Sequence, residues 1–298
     1  MRSKNLSPRT TVAIFLLPSL LGFLVFVAAP IAMAAGMSFT NFSGGPKFRF
    51  VGLRNYAAAF GSPQFAASLG VTALFTVWTV ALQLVLGLAF ALLLDAKFIG
   101  RDFLRGLVFL PNVLSSVAVG LAFCLVLDPK RGPVNQFIAH LGLRPPNWLA
   151  GEDSALGTLV MVGVWQSFGY YMVLFLAGLQ TINPSLYEAA SIDGARAVRR
   201  FLSVTLPGLS PIAFYSLTIA IIRAFQVFDQ VYVMTGGQAG GGPAGSTTVL
   251  VFDIYRNGFG AYRFGYAAAE SVLLLAVVLL VTLAQDRAQR KWVSYDLA

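Results

Sequence analysis

The chain has 298 residues, of which 57% are hydrophobic and 11% are charged, and its mean hydropathy is +0.74. This composition excludes an ordinary soluble domain, in which about a quarter of the residues carry charge. The net charge of +9 does not indicate a nucleic-acid-binding protein, because the cations are dispersed at the ends of apolar segments rather than gathered on one face.

Six apolar stretches are long enough to cross a bilayer, which requires about 20 residues. They cover approximately residues 12–37, 67–94, 104–127, 155–179, 206–228 and 264–285. Inside lipid the backbone polar groups must be satisfied within each segment, and a helix does this. The sequence therefore predicts an all-α polytopic integral membrane protein with six transmembrane helices, organised as a single domain over residues 1–298.

Cations beside these stretches predict the orientation, because cytoplasmic loops carry an excess of Lys and Arg. The excess lies on the side of the N-terminus and comprises Arg2, Lys4, Arg9, Lys97, Arg101, Arg105, Arg196, Arg199, Arg200, Arg287, Arg290 and Lys291. Both termini are then predicted to be cytoplasmic. The first apolar stretch is too long for a cleaved signal peptide, so it is interpreted as a retained first span.

The connections between spans contain few chemical signals. Residues 50–60 predict a short amphipathic helix at the outer surface, and residues 128–154 predict a second external segment. The glycine-rich stretch 235–248 predicts a flexible external loop, and it lacks the GxxxxGK[ST] pattern of a nucleotide site. Cys124 lies alone in a span, and the single histidine, His140, has no partner in sequence that would make it a base or a metal ligand.

A polar segment at residues 183–205 separates the fourth and fifth apolar stretches. Asn183 is suited to cap a helix that begins at Pro184, and Gly194 permits a break because glycine adopts left-handed angles at little cost. A second helix is predicted to follow, with an apolar face at Ala195, Val198 and Leu202. Pro207 is predicted to interrupt the helix and begin a new one where the chain re-enters the membrane. The alternative is an amphipathic helix that lies on anionic lipid through its arginines.

The segment resembles the cytoplasmic coupling motif of ABC importer permeases. In that motif Glu-Ala-Ala is followed by Gly and then by Ile-x-Leu-Pro, and here the matching residues are Glu188, Ala189, Ala190, Gly194, Val204, Leu206 and Pro207. Val204 in place of isoleucine is a conservative departure. Four further stretches resemble the maltose-type sugar branch, with the six-span permease of glycerol-3-phosphate and oligosaccharide importers as the nearest likeness: residues 50–56, 107–123, 228–237 and 246–259.

The resemblance implies a permease subunit that is not itself an enzyme and binds no cofactor. It would form half of the path for a sugar, an oligosaccharide or glycerol-3-phosphate. The implied partners are a homologous second permease, an ABC ATPase dimer that uses ATP, and an extracytoplasmic solute-binding protein, together with membrane lipid. The implied location is a bacterial or archaeal cytoplasmic membrane, and the implied ATPase-coupling residues are Glu188, Ala189, Ala190, Asp193, Gly194, Leu206 and Pro207.

Two ionisable residues lie within predicted spans, where charges are costly and usually functional. Arg223 is sixteen residues beyond Pro207, and Glu270 is sixteen residues before Asp286. Both distances are roughly 24 Å along a helix, so the two side chains are predicted to reach a similar depth and form an ion pair. The alternative is that each side chain extends separately to the outer interface.

A path for sugar needs aromatic faces and amide groups. The candidates in the fourth and fifth spans are Trp165, Gln166, Tyr170, Phe225, Gln226 and Asp229. The same residue types at helical spacing also occur in ordinary packing faces, so that alternative stays open. An ion-coupled secondary transporter is the alternative function, although it would favour paired carboxylates near the membrane centre. A membrane scaffold would explain the spans but not the segment at residues 183–205.

Overall fold

The computed structural model describes residues 8–292. Within that range the chain is all-helical, apart from an isolated antiparallel bridge between Thr40 and Phe50. The predicted cytoplasmic cations Arg2 and Lys4 lie outside the described residues. The chain forms two compact units, which in the described range are residues 8–62 with 254–275 and residues 63–253 with 276–292. The single domain expected over residues 1–298 stays a prediction.

The first unit contains the N-terminal helices and the start of the last helix. Helix α1 (Pro8–Phe23) continues through a π-helical turn at Leu24–Ala28 into α2 (Ala29–Ser38), and α3 (Arg54–Phe60) follows the bridge. A second π-helical turn at Arg256–Gly260 precedes α15 (Phe264–Trp292), whose first residues belong to this unit. The expected short helix within residues 50–60 is therefore present as α3.

The second unit contains most of the remaining helices, with α14 and α15 contributing to both units. In chain order they are α4 (Pro63–Asp95), α5 (Arg101–Val113), α6 (Ser116–Val126), α7 (Pro133–His140), α8 (Glu152–Thr181), α9 (Pro184–Ile192), α10 (Ala197–Arg200), α11 (Leu206–Gly208), α12 (Ser210–Phe225), α13 (Asp229–Met234) and α14 (Leu250–Tyr255).

The core of this unit lies between α4 and α8. Phe75 of α4 and Leu159, Tyr171 and Phe175 of α8 are almost fully buried. At Gly87 a β-carbon would lie 2.8 Å from the Tyr171 Cβ, so only glycine permits this approach of the two helices. Such close contact is typical of helices in lipid, where packing replaces the hydrophobic effect as the main source of association.

Among residues 8–292, four helices are long and apolar enough to cross a membrane on length and composition: Phe15–Ser38, Pro63–Asp95, Glu152–Thr181 and Phe264–Gln289. Two bent pairs bring the number to six if each pair is one span. Helices α5 and α6 meet at 96°, and the helical segment Ala197–Gly208 meets α12 at 66°. The exact number of six spans therefore stays a prediction.

The bends lie where hydropathy predicted continuous helices over residues 104–127 and 206–228. Pro111 lies inside α5, and Leu114 and Ser115 then adopt extended angles that end the helix. Pro207 was expected to begin a new helix. Instead, the helix continues from Ala197 through a π-helical turn at Phe201–Thr205 and past Pro207, and the bend comes after Gly208.

The glycine-rich loop at residues 235–248 is held by specific hydrogen bonds, in contrast to the flexible loop expected from its composition. The Gly241 backbone N–H donates to the Thr235 hydroxyl (3.0 Å), and the Thr248 hydroxyl donates to the Gly241 carbonyl (3.3 Å). Gly236, Gly241 and Gly242 have φ between +72° and +108°. The glycines therefore supply left-handed backbone angles that fold the loop into short 3₁₀ turns.

Candidate functional site

A cavity of about 300 Å³ lies in the second unit, at the points where two helices are interrupted. One interruption separates α5 from α6 at Leu114 and Ser115, and the other separates α12 from α13 between Phe225 and Asp229. Interrupted helices leave backbone groups without intrahelical partners, which polar side chains or ligands can satisfy. The polar and charged residues that line the cavity are Thr79, Gln83, Asn112, Ser116, Gln166, Ser167, Tyr171, Arg223, Gln226, Asp229 and Gln230.

Glutamine amides fix the walls of this cavity. The Gln166 Nε2 donates to the Leu114 carbonyl (3.1 Å) and the Ser116 hydroxyl (3.3 Å), so it satisfies a carbonyl group at the break after α5. The Gln83 Nε2 donates to the Gly163 carbonyl (3.2 Å), and the Gln230 Nε2 donates to the Leu159 carbonyl (2.9 Å). These bonds tie α4, α8 and both interruptions into one polar framework.

The cavity also contains two opposite charges. Arg223 and Asp229 are both exposed, and neither forms an ion pair with any of residues 8–292. The Arg223 guanidinium lies over the Tyr170 ring, with its carbon 4.7 Å from the ring centroid. A cation over an aromatic face keeps its outward N–H groups available. This wall can therefore offer both donors and acceptors to a hydrated solute.

The structure gathers half of the predicted path residues in the cavity. Gln166, Gln226 and Asp229 line it. Trp165 instead packs edge-on against Phe123 (5.2 Å between centroids), Tyr170 lies beneath Arg223, and Phe225 is buried. Contact of any of these six residues with a solute stays a prediction.

Sequence reasoning missed Thr79, Gln83 and Gln230 as members of this wall. Each is a polar residue buried within or beside an apolar stretch, and that contrast was the available signal. The Thr79 hydroxyl is buried and has no hydrogen-bond partner among the described residues. Assigning these residues to one wall required knowing that α4 packs along α8.

The predicted coupling segment folds as a capped helix followed by a tight turn. The Asn183 side chain accepts a hydrogen bond from the Ser185 backbone N–H (3.0 Å), as expected for its role as a cap. At the other end of α9, Gly194 has φ +75° and donates to the Ser191 carbonyl (3.0 Å), while Ala195 donates to the Ala190 carbonyl (2.9 Å). This pair of bonds is the Schellman arrangement that ends a helix at glycine.

The two faces of α9 have different environments. Leu186, Tyr187 and Ala190 pack against the core, whereas Glu188 and Ala189 are exposed. Ala190 thus lies on the packed face, and only Glu188 and Ala189 of the Glu-Ala-Ala motif are free to meet another protein.

The chain after the turn returns alongside α9 and is fixed to it. The Tyr187 and Thr205 hydroxyls are 3.0 Å apart, and the Arg200 Nη1 donates to the Ser191 hydroxyl (3.2 Å). Farther out, a shallow surface hollow includes Gly194, Arg196, Val198, Arg199, Leu202 and Ser203. Val198 is 71% exposed and Leu202 is 57% exposed, so this surface presents apolar side chains beside arginines.

The remaining predicted pair, Arg223 and Glu270, belongs to different units. Arg223 lines the cavity of the second unit. In the first unit Glu270 is fully buried, and both its carboxylate oxygens accept from the Asn257 amide (3.2 and 3.0 Å). The ion pair between them stays a prediction.

Within residues 8–292 no group of three or more His, Cys, Asp and Glu side chains is placed to hold a metal ion. His140 is exposed at the end of α7, with its Nδ1 3.0 Å from the Gln136 carbonyl oxygen. Asp128, outside the apolar segments, accepts from the backbone N–H groups of Arg131 (2.6 Å) and Lys130 (2.9 Å). These bonds, chiefly that from Arg131, lower the pKa of Asp128, and the turn they stabilise has a structural role.

Comparison with known proteins provides the family context. A family model described as "Binding-protein-dependent transport system inner membrane component" matches residues 83–294. The chain is 35% identical to the arabinooligosaccharides transport system permease protein AraP of Bacillus subtilis, over 91% of this chain and 85% of that protein. It is 37% identical to the trehalose/maltose transport system permease protein MalF of Thermococcus litoralis, over 91% and 90% of the respective chains.

The fold also matches a solved structure, a bacterial ABC transporter involved in the import of the acidic polysaccharide alginate. The TM-score is 0.82 at 24% identity, and the match covers 94% of this chain and 95% of that one. This likeness supports the all-helical fold.

Proposed function

Since the chain belongs to the family of binding-protein-dependent transport system inner membrane components, we propose that it is the transmembrane permease subunit of an ATP-driven importer. Its solute is a sugar, an oligosaccharide or glycerol-3-phosphate, the solutes named for relatives of this chain. The observation that carries the proposal is the exposed helix and turn at residues 183–208, which is anchored to the core by Leu186, Tyr187 and Ala190. A surface segment of this kind is suited to receive force from another subunit and pass it to the helices below.

The cavity supports the proposed solute class. Sugars present many hydroxyl groups, which require donors and acceptors at short spacing, and an apolar ring face, which suits aromatic side chains. Gln166, Gln226 and Asp229 supply the polar groups, while Phe228 supplies aromatic surface. An anionic solute such as glycerol-3-phosphate would be attracted by Arg223 but repelled by Asp229, so we favour a neutral sugar.

The proposed assembly contains a homologous second permease, an ABC ATPase dimer and an extracytoplasmic solute-binding protein. The ATPases bind and hydrolyse ATP, and this chain binds no cofactor. Glu188 and Ala189, with Asp193 and Gly194 at the turn, meet the ATPase surface. Leu206 and Pro207 carry the movement towards α12, so that the cavity opens alternately to the two sides.

The proposed topology has six spans, with each bent pair counted as one, and both termini in the cytoplasm of a bacterial or archaeal cell. It places residues 183–205 on the cytoplasmic side, where ATP is available, and residues 39–62 on the outer side. The cations at residues 97–105 and 196–200 support this orientation, because positive residues concentrate on the cytoplasmic side.

The test is Glu188→Arg in the assembled transporter, with Glu152→Arg as a matched control. Both residues are exposed. Glu188 lies in α9, whereas Glu152 is the first residue of α8, at the end of that helix farthest from α9. We expect Glu188→Arg to insert normally but to abolish ATP-driven uptake in proteoliposomes and the stimulation of ATP hydrolysis by the solute-binding protein. Glu152→Arg should retain both activities. Normal uptake by Glu188→Arg would disprove the assigned role of this segment.

A further inference from the structure

The first unit contains a rim of cations and aromatic side chains, which we define as residues 47–54 and 256–263. Together with the residues around them, 39–62 and 254–264, these segments contain no aspartate or glutamate. Their charged residues are Lys47, Arg49, Arg54, Arg256 and Arg263. The rim therefore carries only positive charges, whereas the segments at residues 97–105 and 128–154 contain both cations and acids.

The two parts of the rim are joined in space. The Asn41 backbone N–H donates to the Arg49 carbonyl (3.1 Å), and the Gly265 N–H donates to the Phe42 carbonyl (2.9 Å). The Phe42 ring lies 5.8 Å from the rings of both Phe48 and Phe264. These contacts fix residues 47–54 and 256–263 beside one another as one surface.

The aromatic side chains of this surface point outward. Phe48 is 58% exposed, Phe50 is 78% exposed and Tyr262 is 64% exposed. Tyr262 has φ +55°, a left-handed conformation that strains the backbone of a non-glycine residue. Backbone bonds from Ala261 to Arg256 and from Arg263 to Asn257, both 2.9 Å, hold the turn in that conformation.

The position of the rim along the chain sets its depth. The apolar span Phe15–Ser38 ends nine residues before the first part of the rim, and the span Phe264–Gln289 begins immediately after the second part. Side chains at the ends of two spans lie where hydrocarbon meets water, and aromatic rings are enriched at that level. Cations at that level attract anionic headgroups.

In the proposed topology, however, this rim lies on the outer side, where the positive-inside rule disfavours lysine and arginine. Glu270, the one acidic residue of this unit, is fully buried and accepts from the Asn257 amide. Arg49, Arg54 and Arg263 form no ion pair with the residues that the structure describes, so they are open to negative charge from outside the chain.

We propose that the basic–aromatic rim binds the headgroups of anionic phospholipids at the outer surface of the membrane. Arg49, Arg54 and Arg263 contact the phosphate groups, while Phe48, Phe50 and Tyr262 enter the interfacial layer. The assignment of the outer surface rests on the proposed function and its topology, whereas the lipid preference itself does not. An acidic face of a partner protein is the alternative occupant, and the experiment separates the two.

The experiment compares binding of phosphatidylglycerol and phosphatidylcholine to the purified full-length chain by native mass spectrometry. We expect a preference for phosphatidylglycerol that falls by roughly fivefold or more in the triple variant Arg49→Gln, Arg54→Gln, Arg263→Gln. The corresponding triple lysine variant should retain the preference, because a headgroup requires charge rather than guanidinium geometry. The control Lys130→Gln, Arg131→Gln, Arg144→Gln removes equal charge from a segment that also contains acids, and should leave the preference unchanged.

A second measurement does not depend on removing charge. Phe50→Cys in a Cys124→Ser background provides one site for a nitroxide label, since Cys124 is the single cysteine of the chain. In proteoliposomes we expect the label at the depth of the lipid headgroups and in the leaflet opposite the ATPase side, as measured by its accessibility to oxygen, an aqueous nickel chelate and impermeant ascorbate.

Equal lipid preference in the wild type and the glutamine variant, or a label fully in water, would overturn the proposal and favour the acidic protein partner. If the wild-type transporter shows no ATP-driven uptake but keeps the lipid preference, that result would count against the proposed function alone. A label at headgroup depth in the ATPase-side leaflet would overturn the assignment to the outer surface and leave lipid binding in place.

Discussion

Replacing Gly169 by alanine tests the packing on which the cavity depends. An added β-carbon at this position would lie 2.8 Å from the Val108 carbonyl carbon and 3.0 Å from the Phe109 Cα. Carbon atoms in favourable contact are about 3.5–4.0 Å apart. The nearest atom is the Val108 carbonyl oxygen, with which the added β-carbon would collide outright. Helices α5 and α8 would therefore have to separate by roughly 1 Å or more, and the obstructing atoms are backbone atoms that no rotamer change can move.

Overpacking of this kind costs about 1–3 kcal/mol. Gly157→Ala is the matched control, because Gly157 lies in the same helix, α8, with no atom near its missing β-carbon. Alanine is more favourable than glycine in a helix by up to about 1 kcal/mol in both variants. The difference between the two variants therefore isolates the contact with Val108, and we expect it to be about 1–3 kcal/mol.

The assay is reversible unfolding of the purified chain in mixed micelles with increasing denaturing detergent, followed by circular dichroism. Gly169→Ala should unfold at lower denaturant than wild type, and Gly157→Ala at equal or higher denaturant. Uptake should fall in Gly169→Ala alone, because separating α5 from α8 also displaces the Leu114 carbonyl from Gln166. Equal stability of the two alanine variants would refute the close approach of α5 and α8.

Three further predictions concern the turn, the pH response and the charged pair. Gly194→Ala and Gly100→Ala place alanine at similar left-handed positions with open space around them, so each should lose roughly 1–2 kcal/mol, but only Gly194→Ala should reduce ATP-driven uptake. Because its pKa is lowered in the fold, Asp128 stabilises the turn above its ordinary pKa and stops doing so as pH falls through the lowered value. The protection factors of the Lys130 and Arg131 amides, which correct for the intrinsic exchange rate at each pH, should therefore fall below about pH 4 in the wild type and show no such step in Asp128→Asn. Finally, if Arg223 and Glu270 form an ion pair, Arg223→Glu combined with Glu270→Arg should transport better than either single variant, and failure of that recovery would leave the pair unsupported.

Local signals predicted most of the long helices and the capped helix Pro184–Ile192. Asn183, Pro184 and Gly194 determine a helix start, a first turn and a helix end through bonds to their own neighbours, so the capped helix was readable from sequence. The apolar stretches likewise predicted where long helices run, because hydropathy depends on composition alone.

The bends and the cavity could not be predicted in the same way. Hydropathy does not distinguish a straight span from one interrupted at Leu114, since the residues on both sides are equally apolar. The roles of Gln83, Gln230 and Gly169 depend on which helix lies opposite, and that is set by packing between distant parts of the chain. Trp165 and Phe225 are aromatic residues of the kind that suits a sugar path. However, the side of the helix on which each lies places it outside the cavity wall.

The coupling segment has two arms, α9 and residues 195–205, and the way they are connected has a mechanical consequence. They are joined at the tip by the Gly194 turn and at the base by the Tyr187–Thr205 contact, so they form a closed frame. A frame fixed at both ends does not shear like a loose loop. In the proposed coupling role, a push on Glu188 reaches the base of this frame with little loss. There Leu209 lies so close to Gly178 of α8 that a β-carbon on Gly178 would come within 2.9 Å of it. The proposed movement would therefore be passed to α8, the helix that contributes Gln166 to the cavity wall.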